Sequence, residues 1–192
     1  VGMVLPRNRL LWAVSIGHLT VDFFNGSVAV LLAFLSGHLL SLTNTEIGFA
    51  ISAYQMGSAL SQPFCGWLAD RTGGRWLGAG GVLWTVSMIS LALVLAAVTR
   101  SYALMVIPLV LAALGSGAFH PVGAMHAAES DRTRTRTNLS LFFFMGQFGG
   151  GLGPAVTGFL LDQAATHNNV FGAALGPVMA GRLVERGSIT PM

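Results

Sequence analysis

His18 and Asp22 interrupt an otherwise apolar stretch from Leu11 to Leu35, the length of one membrane-spanning helix. Four residues apart, they share one helix face and can interact directly. A carboxylate at that depth costs several kcal/mol unless it has a partner or faces water, and ionisable groups so placed commonly mark a path for protons or polar substrates. Burial and a neighbouring imidazolium pull the protonation of Asp22 in opposite directions, so the pair can change protonation with conformation. The expected role is proton coupling by Asp22 with His18. The alternative is a pair that neutralises itself inside a packed bundle. A metal set of His18, Asp22, His120 and His126 has acceptable ligand types. However, His120 and His126 are six residues apart and share no helical face, and no metal site is expected.

The elements that must hold these groups are membrane helices. The chain has 192 residues, 53% hydrophobic and 9% charged, with a mean hydropathy of +0.69. Soluble domains carry about 25% charged residues. Apolar runs of membrane length recur at roughly 10–35, 46–68, 77–98, 102–127 and 138–162, against the ~20 residues needed to span. This predicts an all-α polytopic bundle of five to six helices and excludes a membrane β-barrel, whose strands alternate. All ten basic residues are arginines lying between apolar runs, so the pI near 10.0 does not point to nucleic acid. Cys65 is alone, which leaves no disulfide framework.

Ser41–Glu46 carries a helix-start signature, and Thr72-Gly73-Gly74-Arg75 a tight loop. With the N-terminus cytoplasmic, Arg7, Arg9, Arg71, Arg75, Arg132, Arg134 and Arg136 fall inside and only Arg100 outside, as the positive-inside rule requires. The expected division is a cytoplasmic N-terminus at 1–9, five helices over 10–162, and an uncertain sixth helix with a tail at 163–192. The apolar run 170–181 is short for a span and contains Gly172, Gly176 and Pro177.

In this topology His18 lies about 12 Å along its helix from the inner end, His120 about 10 Å and Gln147 about 13 Å. Asp22 and Asn25 lie somewhat deeper. Asn25, His120 and Gln147 are therefore expected to line a polar cavity in the cytoplasmic half. In Gly115-Ser116-Gly117-Ala118-Phe119-His120-Pro121, Pro121 removes the hydrogen bond to the Gly117 carbonyl and should kink the helix; freed carbonyls are tolerated where they line a cavity. At the end of the second span, Gly66-x3-Asp70-Arg71-x-Gly73 with Arg75 combines charges able to attract a helix end with glycines that permit a turn. In the fifth, Gly149-x3-Gly153-Pro154-x2-Thr157-Gly158 places glycines at the spacing that lets helix backbones approach.

Taken together these motifs resemble the N-terminal half of a major facilitator superfamily transporter. Gly66 to Arg75 resembles the signature between its second and third helices, with Gly74 where a basic residue often stands. Gly149, Gly153, Pro154 and Gly158 resemble the fifth-helix motif of drug/proton antiporters, with Thr157 replacing a glycine. Gly17-His18-Leu19-Thr20-Val21-Asp22, Phe119-His120-Pro121 and Phe148 to Pro154 resemble the fosmidomycin-resistance-type efflux proteins. The resemblance implies a multi-pass transporter of the bacterial inner membrane. It would export a small drug or metabolite by alternating access in exchange for protons, with the proton gradient as energy source and no cofactor. It further implies that Asp70 and Arg71 act in gating against a helix of the other half. Halves of such transporters contain six helices as inverted repeats, with the binding site between halves. One half's length, with Val1 in first place, leads to the expectation of a fragment that needs a C-terminal half.

A half-size transporter working with a second copy would display the same motifs, as would a non-transporting membrane subunit. A remote alternative is an intramembrane serine protease with Ser116 as nucleophile and a histidine as base. It needs a serine–histidine hydrogen bond across helices, and His120 stands one turn from Ser116 on the same helix.

Overall fold

The computed structural model describes residues 8–166 of the chain. Its helices are α1 (Arg9–Leu35), α2 (Asn44–Thr72), α3 (Arg75–Thr99), α4 (Tyr102–Glu129) and α5 (Thr135–Thr166). α1 runs on into a π-helical turn, Ser36–Leu40. Among the described residues every regular element is helical, as the composition predicts. The sixth-helix region lies outside the described residues beyond Thr166.

The helix boundaries follow local chemistry. Asn8 caps α1, its side-chain oxygen accepting from the backbone N–H groups of Leu10 at 2.8 Å and Leu11 at 3.3 Å. At the helix start expected over Ser41–Glu46, Thr43 and Glu46 form a capping box: the Glu46 N–H donates to Thr43 Oγ1 at 3.2 Å and the Thr43 N–H donates to Glu46 Oε2 at 2.8 Å. These bonds from Thr43 favour the ionised carboxylate and hold the Glu46 carboxyl below its ordinary range. The α2–α3 loop turns through Gly73 and Gly74, with φ of +80° and +68°, a region costly for residues with a Cβ. α4 remains helical through Pro108 and Pro121.

Four segments are long and apolar enough to cross a membrane: Arg9–Leu40, Arg75–Thr99, Tyr102–Glu129 and Thr135–Gln163. α2 has the length, at 29 residues, but Gln55, Ser58, Ser61 and Gln62 dilute its apolarity. That difference has a structural reason, since Gln55, Ser58 and Gln62 face a cavity rather than lipid. Large apolar side chains stand exposed on the outer faces, among them Leu60, Phe64, Leu83 and Val98. In water such a surface would aggregate; in a bilayer it is the solvated face.

Within the unit ending at Pro154, α4 is the central helix, with 56% of its apolar window buried against 22% to 28% for the other three spans. Small residues allow this. A Cβ on Gly115 would collide with the Gly81 carbonyl of α3 and one on Gly117 with Ser61 of α2, so α4 approaches both neighbours at backbone distance. Two apolar clusters flank the middle of the bundle. One contains Val28, Leu32, Tyr54, Ile89, Met105 and Ala113; the other contains Leu11, Val21, Phe119, Ala127 and Phe142. Along α1 the gap between them falls at Asp22 and Asn25, and along α4 at Ser116. The second unit, Ala155–Met192, is described only for the last turns of α5.

Candidate functional site

The gap between the clusters is filled by a histidine–aspartate–histidine triad. His18 Nε2 lies 3.1 Å from Asp22 Oδ2, and His120 Nε2 lies 3.1 Å from Asp22 Oδ1. Each imidazole is anchored by its other nitrogen. His18 Nδ1 donates to the Phe142 carbonyl at 2.8 Å, and His120 Nδ1 to the Ser116 carbonyl one turn back at 2.7 Å. The His18 ring also stacks on Phe142, with centroids 4.0 Å apart. A Cβ at Gly146, one turn further along α5, would strike the imidazole, so that glycine makes room for it.

With both Nδ1 atoms donating to carbonyls, each Nε2 faces the Asp22 carboxylate, that of His120 in a hydrogen bond and that of His18 in a close contact.

The network continues away from α1. Asn25 Nδ2 lies 3.0 Å from Asp22 Oδ1 and 3.1 Å from Ser116 Oγ. The Tyr54 hydroxyl donates to Asn25 Oδ1, and Ser58 Oγ donates to Ser116 Oγ at 3.2 Å. These groups open on a cavity of about 380 Å³, lined among others by Asn25, Tyr54, Gln55, Ser58, Gln62, Ser116 and His120. The side chain of His120 is 24% exposed and that of Asp22 19%, whereas His18 is 4% exposed. Access to the triad therefore runs through His120 and Asp22, and His18 is the buried support.

The sequence-predicted residues divide accordingly. His18, Asp22, Asn25 and His120 come together, His120 both bonding Asp22 and lining the cavity. Gln147 is not brought there: it is exposed on α5 and does not line the cavity. Its depth is as expected, since Gly146 beside it touches His18, but the ~100° turn between successive helix residues points it elsewhere. Sequence reasoning missed the contribution of α2. Tyr54, Ser58 and Gln62 recur every four residues, a polar stripe at helical spacing that would have indicated it.

In the loop motif, Gly73 caps α2 with its N–H on the Ala69 carbonyl at 2.8 Å. A Cβ at Gly66 would meet Pro121 of α4 only at ordinary van der Waals distance. Asp70 is exposed and has no ion-pair or hydrogen-bond partner among the described residues. The Arg71 guanidinium lies 4.0 Å from the Trp67 ring centroid, and that of Arg75 5.6 Å from Trp76. In the fifth-helix motif, Cβ atoms at Gly149 and Gly153 would strike the backbone carbonyls of Leu19 and Phe23. Both glycines therefore serve the contact of α5 with α1, along the turns that carry His18 and Asp22. Pro154 follows Gly153, and Gly158 lies beyond it on α5.

Ser116 and His120 do not form a nucleophile–base pair. His120 Nδ1 donates to the Ser116 carbonyl at 2.7 Å, while the Ser116 hydroxyl is 3.4 Å away. Apolar outer surfaces of membrane length around a half-buried ionisable triad and a polar cavity are the features of a polytopic membrane protein with a polar interior. Comparison with known families agrees. The profile of the Major Facilitator Superfamily matches residues 14–184, and the chain belongs to that family of membrane transporters. It is 29% identical over 152 residues to the fosmidomycin resistance protein of Escherichia coli (strain K12), covering 79% of this chain and 36% of that one. It is 28% identical over 164 residues to the uncharacterized MFS-type transporter YfiU of Bacillus subtilis (strain 168), covering 83% and 31%. The chain thus spans about a third of the length of the curated relatives it matches.

Proposed function

We propose that this helix bundle is the N-terminal domain of a proton-coupled efflux transporter that exports a small drug or metabolite across the bacterial inner membrane by alternating access, with its N-terminus cytoplasmic. The observation that carries the reading is the position of Asp22: a carboxylate at mid-membrane depth, held between two anchored imidazoles and beside a polar cavity. Asp22 and the imidazoles take up a proton when the cavity faces one side and release it when it faces the other. Release breaks one of the two carboxylate contacts, which links protonation to the fit of α1 against α4. Asn25 and His120 bind substrate on the cavity wall.

The proton gradient supplies the energy, and no cofactor takes part. Asp70, exposed and unpaired among the described residues, with Arg71 and Arg75 beside it, gates the cytoplasmic side by pairing with a second domain. That domain is either the C-terminal half of a longer polypeptide or a second copy of this chain. The named relative makes fosmidomycin the first compound to test.

The test is proton flux in proteoliposomes under an imposed pH gradient, with the chain alone and with a matching C-terminal half joined to it. Drug-dependent flux lost in Asp22→Asn is expected in the form that transports. Full drug-dependent flux in Asp22→Asn would overturn the coupling role.

A further inference from the structure

We propose that His18, Asp22 and His120 bind a divalent transition-metal cation of the zinc class. The geometry has three independent parts. First, the ligand atoms of the three residues all lie within 4.8 Å of one another. Around a tetrahedral ion, metal–nitrogen bonds of about 2.1 Å place two ligands about 3.4 Å apart. The imidazoles therefore need to close by at most about 1.4 Å, and the two nitrogen–oxygen contacts of 3.1 Å already have nearly the spacing of ligands around one ion.

Second, both imidazoles carry the outer hydrogen bond that metal-binding histidines use. A ligating ring usually donates its second N–H to a carbonyl or carboxylate, which fixes its tautomer and aims its lone pair. Here His18 donates from Nδ1 to the Phe142 carbonyl and His120 to the Ser116 carbonyl, so both Nε2 lone pairs point at the same carboxylate. Asp22 is held in turn by Asn25 Nδ2 at 3.0 Å.

Third, the ligand set matches such an ion: two neutral imidazoles, one carboxylate and one divalent cation carry a net +1, so the carboxylate offsets half of the ion's charge in a half-buried site. Two imidazoles and one carboxylate suit zinc, cobalt, nickel or copper rather than magnesium or calcium, which prefer oxygen. Three protein ligands leave a fourth position on the side where His120 and Asn25 meet the cavity, open to water or to a chelating group of a solute.

Binding at these atoms is a property of the helix bundle and does not depend on transport. The experiment uses the purified, chelator-stripped chain in detergent, titrated with Co²⁺ while its visible d–d absorption is followed, and with Zn²⁺ by calorimetry. One ion per chain is expected, displaced from Co²⁺ by Zn²⁺ and not by excess Mg²⁺. Asp22→Asn and His120→Gln should each weaken binding at least about tenfold, while His38→Gln and His126→Gln leave it unchanged. Circular dichroism establishes that each variant is folded; His120, on the cavity wall, is the position that best tolerates replacement. Failure of the folded parent to bind, wild-type affinity in the His120→Gln variant, or loss of binding in His38→Gln would each overturn the site.

Discussion

Replacement of Asp22 distinguishes the hydrogen-bonding role of its carboxylate from the role of its charge. The side chain accepts from three donors: His18 Nε2 and His120 Nε2 at 3.1 Å each and Asn25 Nδ2 at 3.0 Å. In Asp22→Ala all three lose their acceptor. A buried donor left unpaired costs roughly 1–3 kcal/mol. The imidazoles can lower their share by giving up a proton, and the cavity side can admit water, so the total falls to about 2–4 kcal/mol. Asp22→Asn behaves differently. Its amide can donate to the lone pair of one neutral imidazole while its oxygen accepts from the other, protonated ring, so the contacts survive and the loss is about 0–1 kcal/mol. The assay is chemical or thermal unfolding in detergent, monitored by tryptophan fluorescence. Asp22→Ala should be clearly less stable than Asp22→Asn, and Asp22→Asn close to the parent. Equal stability of Asp22→Ala and the parent would refute the claim that this carboxylate organises the middle of the bundle.

Other perturbations test the supports of the site. Gly149→Leu and Gly153→Leu should each destabilise by about 1–3 kcal/mol, because the new side chain meets the backbone carbonyls of Leu19 or Phe23, while Gly151→Ala, which meets nothing within 4 Å, should not; thermal unfolding of the three variants checks this. The Glu46 carboxyl is held below its ordinary range by Thr43, so its contribution to the α2 start is present above the unfolded-state value and is lost as pH falls through the lower folded-state value. Amide protection over residues 44–48, relative to intrinsic exchange rates, should therefore fall on acidification in the parent. Thr43→Ala should show low protection with little pH dependence, and identical protection profiles in the two proteins would refute the capping role.

Much of this architecture is written in local sequence. Five apolar spans declare themselves by length and apolarity, and two of their boundaries by the polar Ser41–Glu46 turn and the Gly73-Gly74 loop, since each depends only on neighbouring residues. The His18–Asp22 contact is also legible, because helical periodicity alone puts residues four apart on one face. Counting 1.5 Å per residue places His120 and Gln147 near the level of His18.

Tertiary structure decided the remainder, because one chain's periodicity carries no information about how one helix is rotated against another. Rotation brings His120 onto Asp22 and turns Gln147 away, although both stand at the expected level. It also adds Tyr54 and Ser58 from α2, whose polar stripe explains why that helix is less apolar than the other spans. The glycines of α5 could be read as packing residues from their spacing. Only the packed bundle shows that they lie against the carbonyls of Leu19 and Phe23, beside the carboxylate that the sequence had already singled out. Sequence thus determined which groups stand at mid-membrane depth. The packing of α1, α2, α4 and α5 decided which of them share hydrogen bonds, because a membrane-buried charge is stabilised by its neighbours in space.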